Sequence, residues 1–160
     1  MAELNPAHVQ AVIRAINQGP IFHHLSMPLK EMGAGYAVVE LTVGRELLNP
    51  FGGIHGGVYA AVIDTAAYWA VYCELEETAG FVSIDLKIDY LAPTSGGLII
   101  ARGRSIKVGR SMCLAEATAT DREGRWLAHG TSKMLVTPGL QTIADALRFT
   151  GSGPLPPKFL

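Results

Sequence analysis

The chain has 160 residues, 13 basic and 14 acidic, for a formal charge of -1, with 49% apolar and 17% charged residues. That length suits a single domain, expected over 1–160 with an ample core, and the near-neutral balance offers no broad field for nucleic acid or an anionic membrane. Cys73 and Cys113 lack C-x-x-C or metal spacing, which excludes a disulfide framework and reads as buried free thiols in a reducing compartment. So apolar a composition implies surface hidden in a homo-oligomer, at least a dimer.

The opening residues, Met-Ala-Glu-Leu-Asn-Pro, show no basic stretch followed by an apolar one, so a cytoplasmic location is expected. Asn5-Pro6 supplies an N-cap and a first-turn proline. Val9, Val12, Ile13 and Ile16 then recur at helical spacing, which predicts an amphipathic helix over 5–18, ended by Gly19-Pro20. Alternation from Met27 to Val43, with Ala37, Val39, Leu41 and Val43 on one face, predicts two strands joined at Gly33-Ala34-Gly35. A loop over 45–55 leads to Gly56-Gly57 and an almost unbroken apolar run from Val58 to Leu75, interrupted by Asp64 and Thr65. This run lies at the short end of the bilayer-spanning range of about 17–25 residues. It reads as a buried helix, and a helix apolar on every side must be enclosed on every side.

Strict alternation returns from Phe81 to Tyr90, and a turn at 93–97 follows. Strands are predicted over 98–108 and 111–120, joined at Gly109-Arg110, and a last one over 126–136. A short helix over 140–149 and an extended segment at 151–157 complete a tail over 138–160, in which no chemistry is seen. One long helix thus stands among long antiparallel strands, an α+β class whose core spans about 27–136. A twisted sheet covers such a helix only by curling round it.

Asp64 carries most of the chemical information, because burying a carboxylate costs several kcal/mol unless partners satisfy it. Gly57, Ala60 or Ala61 and Tyr68 share its helical face, so small side chains leave room for another molecule beside the acid. Just upstream, Asn49-Pro50-Phe51-Gly52-Gly53-Ile54-His55-Gly56-Gly57 delivers polar groups and bare backbone to the start of the same helix. Free amides there suit negative charge.

Asn49, His55-Gly56-Gly57 and Asp64, nine positions beyond the histidine, resemble the signature of hotdog-fold thioesterases of the phenylacetate-pathway (PaaI-like) type. The strand from Phe81 to Pro93, with Ser83 near its start, resembles the family's next element, and the similarity spans about 27–136. The resemblance implies a long central helix wrapped by a curved antiparallel sheet, and an acyl-CoA thioesterase that needs no cofactor, coenzyme A being part of the substrate. It implies Gly56 N–H as oxyanion donor and Asp64 as nucleophile or general base. Asn49 and Ser83 would orient carboxylate or water, and His55 would hold the loop. It also implies a site across a dimer interface, in a dimer or tetramer. Substrate contacts are expected from Gly57, from Tyr68, Trp69 and Phe81 around the acyl group, and from Arg102, Arg104, Lys107 and Arg110 toward the phosphates.

Competing readings are weaker. Five histidines, His8, His23, His24, His55 and His129, form no H-x-x-x-H and no zinc pairing with cysteine, so no metal is expected. G-x-S-x-G and the phosphate-binding P-loop are absent. An acyl-thioester hydratase or dehydratase needs an acid before Asn49-Pro50 and a differently spaced histidine. A non-catalytic acyl-CoA sensor is the alternative from another class, and its DNA-reading form would need more cations than Arg14 on the first helix.

Overall fold

The computed structural model describes residues 3–160, so the first two positions of the expected 1–160 domain lie outside the described residues. Asn5 caps α1 (Pro6–Ile16), its side chain accepting the Ala7 N–H at 3.0 Å. A five-residue helix, α2 (Pro20–His24), follows within the stretch read as a helix stop. Strands β1 (Leu29–Gly33) and β2 (Tyr36–Thr42) form the expected hairpin, with Gly35 in the left-handed region its turn requires. The central helix α3 (Gly56–Tyr72) is followed by β3 (Gly80–Tyr90), β4 (Leu98–Val108), β5 (Met112–Thr120), β6 (Trp126–Thr137) and α4 (Ile143–Thr150).

All six strands join one antiparallel sheet in the order β1-β2-β4-β5-β6-β3. Ala37, Val39, Leu41, Ala101, Ala115, Ala117 and Ala119 are fully or almost fully buried on the face that receives α3. Small residues bring the helix down to the strand backbone: a Cβ at Gly103 would overlap the Ala66 carbonyl. This is the wrapped-helix hotdog arrangement expected from the pattern.

One expectation needs correction. The helix is not enclosed on every side. Val62, Ile63, Ala66, Ala67 and Ala70 are buried, whereas Gly57 is exposed and Ala60, Ala61, Asp64, Thr65 and Tyr68 are only half-buried along a stripe turned from the sheet. The single chain has one sheet and so covers one side of the helix. Likewise, β3 lies at the edge of the sheet, beyond β6. Its alternation therefore does not produce a buried face within the chain: Ile84 is 53% exposed and Leu86 38%.

The tail also does more than its composition suggested. Lys158 is completely buried, and its ammonium donates to Tyr72 O and Leu75 O, both at 2.7 Å, while lying 4.1 Å from the centre of the Tyr72 ring. Burial pushes its pKa down to about 8. Asn5 Nδ2 donates to Pro157 O, and the buried His8 ring joins Pro156 O to the Tyr72 hydroxyl, both contacts at 2.7 Å. The tail thus binds α1 to the end of α3. No helix among the described residues is long and apolar enough to cross a membrane.

Candidate active site

The N-terminus of α3 is shaped by the loop before it. Asn49 Oδ1 accepts the Phe51 N–H at 2.9 Å and the Gly53 N–H at 3.2 Å, and Asn49 N–H donates to Gly53 O at 2.7 Å. Gly52 turns the chain at φ +83, a conformation that suits a residue without Cβ. The loop closes with Ile54 bridged to Leu48 and delivers His55 as the N-cap of α3. His55 Nδ1 accepts the Gly57 N–H at 2.9 Å, so the ring proton of the neutral imidazole sits on Nε2. With Gly57 N–H occupied, the Gly56 N–H at the helix tip has no acceptor among the described residues. A first-turn amide has no partner within its helix, and the helix dipole adds positive potential at this point.

Two turns farther on, Asp64 is the one charged residue in α3. Ser83, on the neighbouring edge strand, donates its hydroxyl to Asp64 Oδ1 at 3.2 Å, and Oδ2 has no hydrogen-bond partner among the described residues. Burial raises the Asp64 pKa above the ordinary carboxylate range, and the Ser83 hydrogen bond partly opposes that rise. Tyr68 lies one turn beyond on the same face. Its ring stacks on Phe81 at 4.0 Å between centroids, and its hydroxyl donates to Phe81 O at 2.7 Å. Burial, with the nearby Asp64 charge as a second cause, raises the Tyr68 pKa and keeps the phenol protonated.

The anticipated residues therefore fall into separate groups within one chain. Asp64, Ser83, Tyr68 and Phe81 are together, and Asn49, His55, Gly56 and Gly57 are together. Eight residues of helix separate Gly56 from Asp64, roughly 12 Å at 1.5 Å per residue. No single carbonyl reaches both.

Against known proteins, residues 51–128 match the model of the thioesterase superfamily. That match covers just under half of the chain. Human acyl-coenzyme A thioesterase 13 is 27% identical over 126 residues, covering 76% of this chain and 89% of that one. A Haemophilus influenzae relative is 30% identical over 89 residues, so the match spans 56% of this chain and 64% of the relative's length. Among solved structures, a thioesterase family protein from Silicibacter pomeroyi superposes with a TM-score of 0.75 at 26% identity, covering 82% of this chain and 99% of that one. The superfamily match runs from the loop before α3 into β6, so Asp64, Ser83, Tyr68, Phe81, His55, Gly56 and Gly57 lie within it, and Asn49 lies just before it.

The expected cations lie elsewhere. Ala101 and Gly103 face α3, so Arg102 between them projects from the opposite side of the sheet, where its Nη1 is 3.5 Å from Thr120 Oγ1. Arg104 is exposed and paired with Glu116. Lys107 and Arg110 are exposed at the β4–β5 hairpin, near the C-terminal end of α3, where Ser105 Oγ donates to Glu74 Oε2 at 2.6 Å. The structure brings none of these cations to Asp64 in the same chain. Tyr90 was not singled out in the sequence, yet its hydroxyl donates to Gly56 O at 3.3 Å and its ring packs beside Gly56. The end of an alternating strand gives no signal for such a contact. Among the described residues no group of three or more His, Cys, Asp or Glu side chains is placed to hold a metal ion.

Proposed function

We propose that this protein hydrolyses acyl-CoA thioesters as a homodimer, with Asp64 of one chain and the Gly56 amide of the other acting on the same carbonyl. The observation that carries this reading is the open stripe of α3: one half-buried carboxylate among the small residues Gly57, Ala60 and Ala61, with an unpaired amide at the helix tip. A two-fold axis passing Ala60, midway between Gly56 and Asp64, sets two antiparallel copies of α3 so that each acid faces the other helix tip. The small residues on this stripe permit close approach, at or below the usual helix spacing of about 8–10 Å. The exposed apolar residues of edge strand β3 support the same partner, because a bare apolar edge favours pairing with another strand.

Ser83 holds one oxygen of Asp64, and the other attacks the thioester carbon or deprotonates the water that attacks it. The carbonyl oxygen becomes anionic and is met by the Gly56 N–H and the positive end of the helix. Collapse breaks the carbon–sulfur bond. The departing thiolate, with a conjugate-acid pKa of about 8.5, needs no strong general acid. Where Asp64 attacks directly, water then cleaves the acyl–Asp64 anhydride and frees the carboxylate; by either route water ends as the hydroxyl of the carboxylic acid and the proton of the coenzyme A thiol. Asn49 and His55 serve by holding the loop that presents the amide. The test is free-thiol release from an acyl-CoA panel: Asp64→Asn is expected to abolish turnover, and a folded Asp64→Asn protein with undiminished turnover overturns the assignment.

A further inference from the structure

A cavity of about 480 Å³ opens one helical turn beyond Asp64. Tyr68, Trp69 and Phe81 form its inner wall, and Phe22, Ile143 and Ala146 part of its outer one. Phe81 is two residues from Ser83 on the same strand, and Tyr68 is four from Asp64 on the same helical face, so the mouth adjoins the carboxylate. The outer wall comes from α2 and α4, which lie outside the 51–128 superfamily match.

The polar rim is already paired. Asp145 Oδ2 accepts from Thr142 N–H at 3.0 Å and from Thr142 Oγ1 at 2.8 Å, and the Tyr68 hydroxyl, whose single proton goes to Phe81 O, lies 3.3 Å from Gln141 Oε1. These satisfied groups leave an apolar and aromatic lining suited to hydrocarbon rather than to a charged group. At about 30 Å³ per water-sized group in a packed liquid, the space holds at most about sixteen such groups.

Resting on the thioesterase reading above, we infer that this cavity receives the acyl chain, and that α2 and α4 select medium-length apolar acyl groups. The experiment measures kcat/KM on straight-chain acyl-CoAs from acetyl to palmitoyl, with phenylacetyl-CoA alongside. In the parent protein kcat/KM rises about fourfold per added methylene until the cavity is full. Ala146→Phe, which shortens the cavity, lowers the dodecanoyl-to-butyryl ratio of kcat/KM by about tenfold or more. Ile143→Ala, which deepens it, moves the optimum to longer chains, so failure of one variant to fold leaves the other to decide.

Turnover by the parent with a chain-length profile that the folded variants do not move overturns the cavity assignment and leaves the thioesterase reading intact. A best substrate of acetyl-CoA or phenylacetyl-CoA overturns the medium-chain assignment. Absence of turnover on every substrate overturns the thioesterase reading. The cavity is then judged by Trp69 fluorescence on titration with the non-hydrolysable dodecyl-CoA thioether. Saturable quenching weakened by Ala146→Phe supports it, and absence of quenching overturns it.

Discussion

At the scale of single residues, Asp64 combines two costs that point the same way. Its pKa is raised in the folded chain, so folding takes up a proton between the unfolded and folded pKa values. The stability gained by protonation is present below the unfolded pKa and lost as pH rises through the folded one. At neutral pH the buried carboxylate therefore opposes folding, and Asp64→Asn is expected to raise Tm while it removes activity, a separation that thermal melts and thiol release measure together. The same shift places the acid limb of kcat/KM above the ordinary Asp pKa of about 3.9. Ser83→Ala removes the hydrogen bond that restrains the shift, so that limb is expected to move to higher pH, and a limb left in place would deny Ser83 its contact with the working carboxylate. Asp64 was legible in the sequence because it is a lone charge in an apolar run. Tyr90, Gln141 and Lys158 were not, since each acts on a partner 34, 73 or more than 80 residues away.

At the scale of elements, the two ends of α3 are finished differently. The first amide is left open, whereas the last carbonyl, that of Tyr72, and the Leu75 carbonyl just beyond the helix are taken by the buried Lys158 ammonium. Lys158→Ala removes two charge-assisted hydrogen bonds and is expected to cost about 2–3 kcal/mol, read from urea unfolding. At the other end, Gly56→Pro deletes only the N–H, in a first-turn position that proline tolerates, and His55 at φ -63 and ψ 135 already has the extended conformation required before proline. The exposed Tyr90 ring must shift by a few tenths of an ångström to admit the added Cβ. The expected result is a native melt with turnover lowered about a hundredfold to a thousandfold, the scale seen when one oxyanion donor is lost. The regular elements could be read from period-two and period-3.6 patterns, as with β2 and α1. What β3 faces could not be read, because alternation tells which side chains share a face and leaves open whether this chain or another covers it.

For the whole molecule, the separation of Gly56 from Asp64 makes the proposed site a property of two chains. Asp64→Asn and Gly56→Pro proteins, each impaired alone, regain activity when unfolded and refolded together, because the mixed dimer holds one site with both native groups. Random pairing returns about a quarter of parental activity, and a mixture no more active than its components would place both groups in one chain's site. The seat of α3 on the sheet has a further consequence. Where Gly103 and a row of alanines let helix and strands meet almost main chain to main chain, no long side chain is available to adapt. That wall is a fixed template, holding the acid to a position dictated by backbone geometry. Substitutions on the opposite side of α3 are therefore expected to leave the helix axis untilted.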